Sequence, residues 1–249
     1  MWSSRYHNEL LIAAIACASL LLLLFLDPIP QDPNYHRFAD TRMSWAIPNA
    51  WNVLTNIAFL VVGIAGCFTA ITRAPRESRA GWCVLFAGII AVGLGSGYYH
   101  WQPSNSSLVW DRLPMTVGFM GLFVALLVEW INPRLQRWLL IPACVLGVSS
   151  VWHWHFTDDL RLYAWVQFFP LLCLIIIPFI GASRYSHRLY LLYAFCGYMA
   201  AKLAELFDTE IFALSGEVVS GHTIKHLLAA ASIGGLYLML RRRTPLATP

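Results

Sequence analysis

The stretch Ser96-Gly-Tyr-Tyr-His100-Trp-Gln-Pro-Ser-Asn-Ser-Ser-Leu-Val-Trp-Asp111 joins the end of one strongly apolar segment to the start of the next. It places a serine, a histidine and an aspartate where a bilayer-spanning chain would be expected to avoid them. Ionisable side chains at membrane depth are costly and default to a functional hypothesis. The flanking segments decide whether the chain is in a bilayer at all.

The 249 residues are 58% hydrophobic and 12% charged, against about 45–50% apolar and about 25% charged in soluble domains. Charge-free runs place helices near 10–26, 50–72, 80–100, 111–130, 136–152, 162–182, 188–206 and 220–240. Apolar runs of about 17–25 residues span a bilayer as helices, and the ten-residue alternation of a barrel is absent. The expected fold is all-α, a polytopic membrane helix bundle with a seven-helix core plus one additional N-terminal transmembrane helix. Pro48 before the second helix, Pro114 in the first turn of the fourth and Asn132-Pro133 after it punctuate the pattern. The first apolar run follows Arg5 and could pass for a signal peptide. Its core is long and Asp27-Pro-Ile-Pro30 offers no small-x-small cleavage pattern, so an uncleaved anchor is expected. The six cysteines all fall inside apolar segments, with no C-x-x-C, and read as small buried hydrophobes.

Orientation follows from the basic residues. With the N-terminus cytoplasmic, Arg5, Arg73, Arg76, Arg79, Arg134, Arg137, Arg184, Arg188, Arg241, Arg242 and Arg243 lie inside, and Arg37, Arg42, Arg112 and Arg161 lie outside, eleven against four. That satisfies the positive-inside rule and puts both termini in the cytoplasm. The compact loops and basic tail suit a bacterial inner membrane. The net charge of +4 belongs to these short loops and implies no nucleic-acid partner.

Sidedness then gathers the polar residues. Ser96 and His100 are four apart and share a helix face; His222 and His226 repeat that spacing at the start of the last helix. His100 ends the third helix on the outer side, where Asp111 begins the fourth and the histidine pair begins the eighth. Three imidazoles with an open fourth position suit a catalytic zinc. Zinc so held activates water and polarises a carbonyl. Asp111 is then the candidate general base and acid, and Ser96 a hydrogen-bond donor to the water or the developing oxyanion.

Other polar residues carry blander readings. In a helix His153 and His155 diverge, and their flanking tryptophans suit a membrane-interface belt. Lys202 and Glu205 fit a self-neutralising pair inside the bundle or a supporting role beneath the metal. Lys225 is expected on a different face from the two histidines, snorkelling or pairing with an acidic neighbour. Glu129 reads as interfacial, and Asn49, Asn52 and Asn56 as interhelical glue.

Leu94-Gly-Ser96-Gly-Tyr-Tyr-His100, then Asp111-Arg-Leu-Pro-Met115, then His222-Thr-Ile-Lys-His226 resemble, in order, the motifs of the alkaline ceramidase family. That family lies within the superfamily of seven-helix membrane hydrolases that includes the progestin and adipoQ receptors. Asn49-Ala-Trp51-Asn52 is similar to the opening of the family's first helix, so the resemblance covers about 49–240. It implies zinc on His100, His222 and His226, with Ser96 and Asp111 as catalytic residues. The implied reaction is hydrolysis of the amide of a ceramide-like membrane lipid to a sphingoid base and a fatty acid. Eukaryotic members hold calcium with an acidic cluster ahead of the core. Here Asn49 is neutral and only Asp32 and Asp40 stand nearby, which puts a calcium ion in doubt. The expected units are 1–49, an N-terminal transmembrane anchor and outer loop; 50–240, a seven-helix catalytic membrane domain; and 241–249, a basic cytoplasmic tail. The competing readings are a zinc-containing receptor or sensor without turnover, and a transporter. No residue pattern sets an oligomeric state.

Overall fold

The computed structural model describes residues 6–182 and 184–246; Arg5 of the basic count and residues 247–249 of the tail lie outside them. The helices are α1 His7–Leu24, α2 Ala50–Leu54, α3 Ile57–Arg73, α4 Arg79–Trp101, α5 Asn105–Trp130, α6 Leu135–Thr157, α7 Arg161–Ile180, α8 Leu189–Leu206, α9 Asp208–Leu214 and α10 Gly221–Arg242. Among the described residues, with α2 and α3 taken as one span, eight stretches are long and apolar enough to cross a membrane. The chain is thus an integral multi-pass helical bundle.

Helix α5 is buried over most of its length and forms the axis of the bundle. Helix α1 lies outside the other seven, packed along α7 with Ile12 its one buried residue among those described. Its ties are polar: Asn8 donates to the Ile180 carbonyl at 2.9 Å and Trp165 Nε1 to Ser19 Oγ at 3.0 Å. Every free cysteine lies in a span, yet only Cys173 is buried and Cys17 and Cys196 are exposed. This corrects the expectation of six interior thiols. The outside of a membrane helix is itself apolar surroundings, so a small hydrophobe has no need to face inward.

The tightest helix pair is α4 against α5, and glycine makes it so. Gly81, Gly88 and Gly95 recur every seven residues along the α4 face that meets Gly121, Gly118 and Trp110 of α5. A Cβ on Gly88 would stand 2.8 Å from the Gly118 nitrogen, so the two backbones are in contact with no side chain between them. Gly95 meets the Trp110 carbonyl in the same way. That contact fixes the register of Ser96 against Asp111, the residues that follow each.

Several boundaries differ from expectation. Helix α5 begins at Asn105 rather than 111, because Ser104 and Ser107 form a reciprocal capping box. Asp111 therefore sits nearly two turns inside the helix, and Pro114 lies within it rather than in its first turn. Helix α6 extends to Thr157, stopping where Asp158 takes a left-handed φ of 55°. The second span narrows at Thr55 and Asn56, where bonds such as Phe59 N to Asn56 O at 3.0 Å replace the regular ladder. There Thr55 Oγ1 donates to the Trp51 carbonyl at 2.7 Å and Asn56 Nδ2 to that of Asn52 at 2.7 Å, side chains competing for backbone partners.

The bundle has two unlike ends. At one, Glu129 is buried rather than interfacial: it accepts from Ser78 Oγ at 2.6 Å, Trp82 Nε1 at 2.7 Å and both terminal nitrogens of Arg243. The other end is covered by the 27–49 loop. Asp159 fastens that loop through Ile29 N at 3.4 Å while accepting from Arg161; the Arg161 hydrogen bonds outweigh burial and lower its pKa to about 2. Burial would raise the Asp40 carboxyl, but Arg42, bound at 2.7 Å, holds it below its ordinary value.

Candidate metal centre and lipid cavity

Three local structures deliver the histidines to one place under the loop. The last turn of α4 carries His100, whose backbone carbonyl accepts from Asn49 Nδ2 at 2.8 Å. Ser220 caps α10 through Thr223 N, and Asp208 Oδ1 takes the next free N–H, that of His222, at 2.7 Å. Asp208 Oδ2 also accepts from Ala39 N at 2.9 Å, so one carboxylate fixes both the loop and the turn that bears the histidine pair. His226 follows one turn on, and Thr55 in the narrowed part of the second span reaches its Nδ1 at 2.9 Å. Because the Thr55 hydroxyl hydrogen goes to Trp51, its oxygen accepts from His226 Nδ1–H, which leaves Nε2 as a lone pair.

The result is a buried group of His100, His222 and His226 whose ligand atoms all lie within 4.8 Å of one another. The Nε2 atoms of His100 and His222 stand 3.2 Å apart. Tetrahedral zinc with Zn–N of about 2.0–2.1 Å separates its ligand nitrogens by about 3.3 Å. Phe38 of the loop lies over the group, its ring centroid 4.8 Å from that of His100 and 4.9 Å from that of His222. Three buried imidazoles, one with its tautomer set by a hydroxyl, form a donor set that fits a first-row divalent metal such as zinc.

The histidines back onto a cavity. His226, Ser96 and Asp111 line it, while His100 and His222 stand behind. Asp111 is buried, with Ser96 beside it. Leu85, Ile89, Phe119, Leu122 and Leu236 line the part that runs down the bundle, away from the loop. One end of the cavity is therefore polar and the other suits an acyl chain.

Lys225 pairs with an acidic neighbour, one of the expected outcomes, but stands nearer the histidines than a separate face would allow. Its Nζ is 2.5 Å from Glu205 Oε1 and 3.5 Å from His222 Nε2, and it lines the cavity. Residues three apart on a helix are neighbours, so a long side chain after His222 readily curls back beside it. Lys202 pairs with the other oxygen of Glu205, which thus bridges two lysines rather than one. Arg112, assigned to the outer loops by the charge count, is buried in the bundle. Asn52 joins α2 to α10 by accepting from Thr223 Oγ1 at 3.1 Å. His153 faces outward 3.8 Å from Asp159, and His155 is also exposed; neither belongs to the group.

A protein-family model described as Ceramidase matches residues 39–240. The comparisons with curated proteins and with solved structures gave no significant match.

Proposed function

This chain belongs to the ceramidase family, and on that premise we propose that it hydrolyses the amide bond of a ceramide-like lipid within the membrane, giving a sphingoid base and a fatty acid. His100, His222 and His226 would hold a zinc ion. When bound, the metal supplies Lewis acidity and activates water. The side chains do the rest. Asp111 takes a proton from the attacking water and returns it to the leaving amine. Ser96, against Asp111, orients that carboxylate, a narrower task than donating to the oxyanion. The apolar end of the cavity holds an acyl chain so that the amide meets the histidines, and Phe38 excludes bulk water from above.

The observation that carries this reading is the convergence of three buried imidazoles on one point beside a cavity that also exposes Asp111 and Ser96. A transporter would need ionisable groups continuing down the bundle, whereas the polar side chains lining the cavity beyond its charged end are the neutral Gln167, Tyr198 and Ser232 among aliphatic and aromatic neighbours. A sensor without turnover would have no use for a carboxylate at the mouth of the site. The anchor and outer loop over 1–49, the catalytic bundle over 50–240 and the basic tail over 241–249 belong to the same proposal, with Phe38 and Tyr35 of the loop covering the bundle's site. So does placement in a bacterial inner membrane with both termini cytoplasmic and the site toward the outer face. The acidic cluster that holds calcium in eukaryotic members has only a sparse counterpart here, since Asp40 is engaged by Arg42 and Asn49 is neutral.

The test is turnover of a long-chain ceramide by the purified protein after chelation and after restoring zinc. Release of fatty acid that stops with chelation and returns with zinc is expected. Undiminished release in chelator would overturn the metal assignment, and no release in either state would overturn the amidase.

A further inference from the structure

The cavity contains a second polar centre that amide hydrolysis leaves unused. Arg112 follows Asp111 in the chain and lines the same cavity. Its guanidinium lies 4.1 Å from the centroid of Trp154, 4.7 Å from that of Tyr163 and 5.4 Å from that of Tyr35. Nη2 donates to Gln31 Oε1 at 2.7 Å. Nη1 has no partner, although the residue is only 4% exposed. Among the described residues no carboxylate stands within ion-pair distance of it.

A guanidinium does not lose its proton in a protein. Arg112 is therefore a permanent buried charge, and a buried cation without an anion is costly. Aromatic faces offset part of that cost and satisfy none of the N–H groups. The other cations of the cavity, Lys202 and Lys225, share Glu205, so the lining carries one positive charge more than its carboxylates with the histidines neutral. The uncompensated position is Arg112. It also lies at the polar end: its contacts come from the 27–49 loop, α6 and α7, whereas the histidines come from α4 and α10.

We propose that Arg112 forms a head-group subsite whose free Nη1 edge binds an oxyanion, a phosphate or sulfonate, carried at the polar end of the substrate lipid. The inference rests on the amidase reading in taking the occupant to be substrate. It narrows that reading, because a plain ceramide carries no charge. In the motif Asp111-x-Leu-Pro-Met115 this residue occupies the open position, next to the proton carrier and outside the metal group.

The experiment separates binding from turnover. Hexadecyl phosphate, hexadecanol and hexadecanoate are titrated into the detergent-solubilised full chain, wild type and Arg112→Gln, with Arg112→Met in its place if the glutamine variant does not fold. Wild type should bind the alkyl phosphate at least about tenfold more tightly than the alcohol, as expected for a hydrogen bond to a charged group, and the variant should lose that preference. Equal binding of the two, or a preference that survives the variant, overturns the subsite. So does an Arg112-dependent preference confined to hexadecanoate, which would assign the residue to released fatty acid. In parallel, kcat and KM are measured for a long-chain ceramide and its 1-phosphate ester. Preference for the ester through KM, lost in the variant, supports the proposal. Hydrolysis of both lipids alike sinks the subsite alone, and hydrolysis of neither, with phosphate binding intact, sinks the amidase alone.

Discussion

The Nε2 atoms of His100 and His222 face each other 3.2 Å apart, one from the end of α4 and one from the start of α10. A single hydrogen at most can lie between two such nitrogens, and Lys225 Nζ is 3.5 Å from one of them. A divalent metal satisfies both lone pairs at once, and the partners that orient its ligands then become testable in their own right.

Thr55→Val removes the acceptor that holds His226 by its Nδ1. Metal affinity should fall by about 10–100-fold, the usual effect of losing such a partner. Competition with a chelator of known affinity measures it, and Thr55→Ser should restore most of the loss.

Asp111→Asn keeps the shape of the site and removes the carboxylate proposed to carry the proton. Turnover should drop by about 10²–10⁴-fold, with metal content unchanged. Ser96→Ala should cost less and act mainly on kcat, since the serine touches the carboxylate.

Gly95→Val drives a branched side chain into the Trp110 carbonyl. The α4–α5 pair has no slack at that point, so overpacking should cost about 1–3 kcal/mol or more. Activity should fall along with the melting temperature in detergent. The same change at Gly97, which has nothing within 4 Å of its Cβ position, should be tolerated far better.

Asp159, at the loop end, has a folded-state pKa lowered to about 2. Its stabilisation is complete above an ordinary carboxylate value of about 3.9 and is lost as pH falls through the folded value. The fall of the melting temperature between pH about 4 and about 2 should therefore be steeper in wild type than in Asp159→Asn.

The spans and the convergence of the three histidines were legible because each depends on local composition or on the parity of crossings. Asp111 was found but misplaced within its helix, since a search for charge-free runs passes over Ser104 and Ser107, whose hydroxyls start α5 early. The heptad of Gly81, Gly88 and Gly95 was a signal in plain view and sets the closest helix contact. Thr55 gave none: its tie to His226 depends on how two distant segments pack. Arg112 was counted as a loop charge because its aromatic cage, Tyr35, Trp154 and Tyr163, is drawn from three separate parts of the chain. Glu129 read as interfacial for the same reason, its partner Arg243 lying 114 residues away.

Metal content bears most directly on the site. Protein purified without added metal, wild type and the double variant His222→Ala/His226→Ala, should be compared by elemental analysis at equal helix content. Wild type should carry about one zinc per chain and the double variant essentially none, as three-ligand sites need all three. Full zinc in the double variant, or none in a wild type that still hydrolyses its lipid, would show that these histidines are not the metal centre.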